Sequence, residues 1–275
     1  MGWLETIIYA LISGIAEFLP VSSVAHQSIL LKLFGCTENM AALNFTVHLG
    51  ALAALYINCQ SHLAAFSRAQ RILSIPKRRR KRQPDWELVS ELRLFKTASV
   101  FSVIAALASV FTYSFNRQLL FVALFLILNG IVLYCSGRVA TGNKSAGNMI
   151  GFDGLLIGFS SALGVVPGFS RLGCGITAAV VRGAAPSHAL LWSLLISVPT
   201  LCALCVADVI LIFTQGVVGF GFMTFLQCIV GAVVSFCGTW ISILLLRFFS
   251  VKIGFSSFSL YSWGAGLFAF LLYMI

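Results

Sequence analysis

Residues 14–28 read GIAEFLPVSSVAHQS. In fifteen residues this stretch holds a carboxylate (Glu17), a proline (Pro20), two adjacent hydroxyls (Ser22, Ser23) and an imidazole (His26). The sequence around it is almost entirely apolar. Residues 3–19 form an apolar run that Pro20 stops. At about 1.5 Å per residue such a run falls short of the roughly 30 Å hydrocarbon core of a bilayer. Residues 21–34 are shorter still, so the two segments together are predicted to enter a membrane and turn back. Irregular backbone at that depth is tolerated only where protein buries it or a wet cavity faces it.

A second stretch has the same character. GVVPGFSRLGCG, residues 164–175, ends an apolar run at Pro167 and resumes beyond Arg171. Gly168 permits the backbone angles and close approach that a tight break needs. Around these two breaks the plan repeats. Full-length spans are predicted at about 40–59, 95–114 and 118–137 in the first half, and at about 188–213, 218–246 and 255–275 in the second, by the length a helix needs to cross. A polar linker, GRVATGNKSAGN (137–148), separates the halves. The prediction is one membrane domain, 1–275, with repeat 1 over 1–138 and repeat 2 over 146–275. Its fold class is all-α and polytopic: six transmembrane helices plus two re-entrant helical hairpins. Three full crossings per half are odd, so the second half is inverted, and inverted repeats with discontinuous helices point to a midplane site.

Bulk composition agrees. The 275 residues are 59% hydrophobic and 9% charged, with a mean hydropathy of +0.99. A soluble domain carries about 25% charged residues, so a soluble globular enzyme is excluded. The start, MGWLETIIYAL, has an acid where a cleavable signal peptide has basic residues, so none is expected. The net charge of +10 is concentrated in 68–82, at Arg68, Arg71, Lys77, Arg78, Arg79, Arg80, Lys81 and Arg82. Beside a membrane span, such a run marks a cytoplasmic loop rather than a nucleic-acid site. With loop 60–94 placed inside, 15 of the 18 Lys and Arg fall on the cytoplasmic side. Lys32 and Arg117 fall outside, and Arg171 sits in a hairpin tip. The first hairpin then opens outside, the second inside, and their tips point at each other. The eight cysteines are scattered, and Cys202 and Cys205 are read as packing, with neither a nearby His nor a second pair to make a metal site.

An ionisable side chain inside a membrane is costly and is a functional candidate by default. Glu17 is the only acid deep in the first hairpin. On a helix starting after Pro20, Ser22 and Ser23 lie four and three residues before His26, so both hydroxyls can reach the imidazole. His is the usual base that activates a serine. Serines also cap helices for purely local reasons, and Ser22 is as well explained that way. Arg171 is a planar fork suited to phosphate, or alternatively the ion-pair partner of Glu17. Ser170 and Gly168 stand beside it as further phosphate-binding candidates. Asp153 and Asp208 are weighted toward structural roles. His48, in NFTVHLG, either lines the cavity or makes a helix–helix contact, the commoner fate of a lone His.

These residues resemble the bacitracin-resistance family of undecaprenyl-diphosphate phosphatases. EFLPVSS…H at Glu17–His26 is similar to its first signature and PGFSR at Pro167–Arg171 to its second. FDGLLIGFSS (152–161), WSLLISVP (192–199) and KIGFSSFSLY (252–261) extend the resemblance along the chain. The resemblance implies hydrolysis of a C55 lipid diphosphate to the monophosphate at the outer side of a bacterial plasma membrane, recycling the cell-wall lipid carrier and conferring bacitracin resistance. It implies a divalent cation, Mg or Ca, with Glu17 as its ligand. Glu17, Ser23, His26 and Arg171 are the implied catalytic residues, with Ser22, Gly168, Ser170 and Arg171 around the phosphates. The implied partners are the polyprenyl diphosphate, membrane lipids and a second copy in a homodimer. The chain departs from the family pattern at four places: Ser13 replaces a glutamate, Leu172 a serine, Gly175 a threonine and, around Ser262, an arginine is missing. An alternative reading is a non-hydrolytic polyprenyl-phosphate transporter or flippase of the same fold.

Overall fold

A computed structural model describes residues 1–80, 83, 85–113, 118–140, 142–215, 221–252 and 254–275. Lys81, Arg82, Arg117 and Ile253, the side chain of Lys252, and the expected start of the span at 218 lie outside the described residues. Ten α-helices account for nearly all the rest. They are α1 (Trp3–Phe18), α2 (Ser23–Leu33), α3 (Ala41–Ser74), α4 (Trp86–Thr112), α5 (Leu119–Ser136), α6 (Gly151–Ala162), α7 (Arg171–Val181), α8 (Pro186–Gln215), α9 (Phe222–Lys252) and α10 (Phe258–Met274). A single isolated bridge, Lys144 to Ala184, is the only β pairing among the described residues.

Among the described residues, six elements are long and apolar enough to cross a membrane: α3, α4, α5, α8, α9, and α10 with the 3₁₀ turn before it. The protein is a multi-pass membrane protein. The short helices are the ones the prolines delimit. α1 ends at Phe18 and α2 begins at Ser23; α6 runs into a 3₁₀ turn at Leu163–Val165, and α7 begins at Arg171.

The basic segment differs from the expected 60–94 loop. α3 continues to Ser74 and α4 starts at Trp86, capped by the Asp85 carboxylate accepting from the Glu87 N–H. Gln60–Ser74 contains no proline or glycine and is rich in good helix formers, so nothing stops α3 until Pro76. A 34-residue helix is about 50 Å long, well beyond the hydrocarbon core. Its polar C-terminal part therefore projects from the membrane.

Packing seats the short helices α1 and α6 against long ones. α1 lies against α9 and α6 against α4, while α3 packs on both α8 and α9 and α5 pairs with α10. The α1–α9 and α3–α9 contacts run through small residues. A Cβ on Gly14 would stand 2.5 Å from the Ser235 carbonyl oxygen, and one on Gly50 would stand 2.2 Å from that of Ala232. Close backbone approach through small residues is how helices associate where lipid tails remove the hydrophobic drive. Hydroxyls pin the same seam: Ser235 donates to Val47 O (2.8 Å), Thr239 to Gly14 O (3.0 Å) and Ser242 to Ile15 O (2.8 Å).

Candidate functional site

The two chain breaks touch. Ser22 caps α2, its Oγ accepting from the Ala25 N–H at 3.3 Å, and the same oxygen accepts from the Gly168 N–H of the other break at 3.2 Å. Ser170 caps α7 in the same way, accepting from the Gly173 N–H at 3.1 Å, and donates to Leu19 O at 3.4 Å. The backbone is strained where this happens. Ser22 is the only non-glycine residue with positive φ among those described, at 65°, and Gly168 has φ 114°. A Cβ on Gly168 would meet the Phe125 Cβ at 2.6 Å, so glycine is required there for space as well as angle.

Asn129 of α5 braces both breaks and is fully buried. Its amide nitrogen donates to Pro20 O (3.2 Å) and to Ser262 Oγ (3.1 Å), and its oxygen accepts from the Ser170 N–H (2.9 Å). Ser262 passes the chain of bonds on to Leu126 O at 2.7 Å.

A cavity of about 90 Å³ lies beside the joined breaks. Glu17 from the end of α1, Ser23 from the start of α2, Arg171 from the start of α7, His48 from α3 and Asp208 from α8 line it. Arg171 Nη2 donates to Glu17 Oε1 at 2.5 Å, and both side chains are nearly buried. Arg171 Nε is buried with no partner among the described residues. The guanidinium is thus held by Glu17 through Nη2 while the residue lines the cavity. Ser23 and Glu17 line the same cavity. Two helices begin at the cavity wall, and helix N-termini favour negative charge.

His26 is not in this cavity. Its Nδ1 pairs with the Ser22 carbonyl oxygen at 2.8 Å and its Nε2 with the Tyr261 hydroxyl at 2.7 Å, the two rings stacking at 5.7 Å. The expected contact of Ser22 or Ser23 with the imidazole is therefore not formed. One turn of α2 carries the histidine to the opposite wall, where it lines an apolar groove of about 510 Å³ with Ile12, Ile15, Leu19, Phe258 and Tyr261. Gly168 likewise gives its N–H to Ser22 rather than to the cavity.

Asp153 caps α6 by accepting from the Ile150 N–H at 2.9 Å and pairs with Arg182, as a structural acid would. Asp208 and His48 pair across α8 and α3 at 2.6 Å. Of the positions that depart from the expected pattern, Leu172 joins the main core, a Cβ on Gly175 would stand 2.4 Å from Ser161 Oγ, and Ser13 is buried with its hydroxyl unpaired among the described residues. Thr177 is buried with its hydroxyl unpaired among the described residues and does not line the cavity.

The cation that the resemblance implies finds no cage here. Glu17 is engaged by Arg171 and Asp208 by His48, and among the described residues no group of three or more His, Cys, Asp or Glu is placed to hold a metal. The donor set does not fit a protein-held ion.

Fold and site together define a polytopic membrane protein in which two helix breaks meet beside a buried, arginine-bearing cavity. Residues 6–268 match the family model described as bacitracin resistance protein BacA, and the chain belongs to that family. Among curated relatives it is 29% identical to an undecaprenyl-diphosphatase of Chromohalobacter salexigens, over 95% of both chains. It is 29% identical to one of Saccharophagus degradans, over 98% of both, and 27% identical to one of Alkaliphilus metalliredigens, over 97% of both.

Proposed function

We propose that this chain is an integral-membrane phosphatase that hydrolyses undecaprenyl (polyprenyl) diphosphate to the monophosphate. The observation that carries the reading is the Arg171 guanidinium, paired with Glu17 in the wall of a cavity that Ser23 also lines. A guanidinium matches phosphate oxygens and stabilises charge that develops on them. Ser23 is the nucleophile. Its oxygen bonds to the terminal phosphorus and its proton passes to Glu17. The bridging P–O bond breaks with its electrons leaving on the lipid monophosphate. Water then cleaves the phosphoserine and releases inorganic phosphate. Ser22, Ser170 and Gly168 hold the two breaks in register and act on the phosphates through Ser23 and Arg171. His26 and the apolar groove, which meets the cavity wall at Ala16, fit the prenyl chain.

The inverted repeat, with residues 1–138 and 146–275 as its units and two re-entrant hairpins, belongs to the same proposal. It is supported by paired contacts: α1 on α9 answers α6 on α4, and α3 on α9 answers α8 on α4. The cavity then opens to the outer side. It lies near the start of α3 and the ends of α4 and α8, through Asn44, Tyr113 and Leu211, opposite the basic α3–α4 connection.

The test is release of inorganic phosphate from polyprenyl diphosphate by the purified protein, assayed with and without Mg²⁺ or Ca²⁺. Wild type releases phosphate and Arg171→Ala does not. Absence of release by wild type under all these conditions overturns the reading.

A further inference from the structure

Two buried ionisable residues at the cavity have no part in that scheme. His48 Nδ1 lies 2.6 Å from Asp208 Oδ2, both side chains being about nine-tenths buried. His48 sits seven residues into α3 and Asp208 seven residues before the end of α8, so the pair joins two spans at one depth. Both line the cavity that also holds Glu17, Ser23 and Arg171. With the Nδ1 proton given to Asp208, the lone pair is on Nε2. That nitrogen has no hydrogen-bond partner among the described residues and opens on the cavity. An imidazole whose tautomer is fixed by a carboxylate, with its other nitrogen turned to a reaction cavity, is the arrangement of a general base.

We propose that His48 is the base for the second half of the reaction and that Asp208 is its positioning residue. The inference rests on the phosphatase reading above. Nε2 takes a proton from water as the water oxygen bonds to the phosphorus of phosphoserine 23. The P–Oγ bond breaks with its electron pair on Oγ, which recovers a proton from Glu17, where the first step left it. The proton on Nε2 leaves with inorganic phosphate, and the enzyme returns to its starting state.

Two other reasons for the pair to exist are separated by the test. A purely structural pair would make His48→Gln unstable without changing the order of product release. A substrate-binding pair would raise KM. The experiment uses the full chain in detergent with radiolabelled polyprenyl diphosphate, following lipid monophosphate, inorganic phosphate and protein-bound label after a denaturing quench. General acid–base catalysis contributes about 10²–10⁴-fold. His48→Gln is therefore expected to lose at least 100-fold in steady-state kcat with KM within threefold. It is also expected to give a burst of lipid monophosphate and to retain label on Ser23. Asp208→Asn is expected to do the same to a smaller extent, with wild-type elution and melting. His48→Gln with kcat within threefold of wild type overturns the inference while leaving the phosphatase intact, provided Ser23→Ala is inactive. Loss of kcat with no label trapped overturns it too. Ser23→Ala retaining activity overturns the underlying nucleophile assignment instead.

Discussion

Substituting Asn129 with alanine removes a side chain that ties the two helix breaks to each other and to α10. The truncation deletes three hydrogen bonds at a fully buried position. Ser262 keeps its bond to Leu126 O, so its hydroxyl is not abandoned. The Ser170 N–H and the Pro20 carbonyl are both left without their partner. Each such orphan costs about 1–3 kcal/mol, giving about 2–6 kcal/mol in all. Hydrogen bonds between membrane helices average nearer 0.6 kcal/mol, so the lower part of that range is expected. Function should suffer more than stability. Ser170 and Arg171 begin α7, and misplacing a reacting group by about 1 Å costs on the order of 10²-fold. The assay pairs thermal unfolding in detergent with phosphate release. Asn129→Ala is expected to melt lower and to lose about two orders of magnitude in kcat. Asn129→Asp, which retains the acceptor for Ser170 but not the donor to Pro20, should be no better. Unfolding and turnover both indistinguishable from wild type would refute the bracing role and the joined geometry of the breaks.

Three further outcomes follow from the same geometry. Arg171→Lys keeps the charge but loses the planar fork, so phosphate release should fall at least 10-fold rather than be preserved; full activity would mean that a point charge suffices. Ser23→Ala should abolish release, whereas His26→Ala should retain most of kcat and chiefly raise KM, since His26 lines the apolar groove; the reverse ranking would return His26 to the chemistry. Gly168→Ala forces a Cβ into Phe125 at a φ of 114°, and should cost about 1–3 kcal/mol of unfolding free energy together with activity; a neutral effect would show that the break relaxes.

Much of the architecture was legible because prolines and run lengths act locally. Pro20 and Pro167 ended α1 and α6 within a few residues of the expected points, and the apolar runs gave the six spans. The end of α3 was less legible. Charge marks the membrane boundary but does not stop a helix, and Gln60–Ser74 carries no breaker. The Glu17–Arg171 pairing was visible as one of two readings because each ion needs a partner in the membrane. The serine–histidine contact failed since helical spacing sets which residues share a face but not which cavity that face meets. His26 has Tyr261 as a neighbour 235 residues away. Asn129 was the chief omission. Its signal was present as a lone amide in LFLILNGIVL, where a polar group within a span demands partners. The His48–Asp208 contact joins residues 160 apart, which spacing alone does not bring together.

The central claim is that the joined breaks form a hydrolytic site rather than a passage. It is tested most directly in proteoliposomes carrying a labelled polyprenyl diphosphate, with phosphate release and transbilayer movement of the label followed in the same vesicles. The account expects inorganic phosphate to be released at a rate that falls with Arg171→Ala and Ser23→Ala. Label that crosses the bilayer faster than in protein-free vesicles, with no phosphate released, would contradict it and establish the transporter in its place.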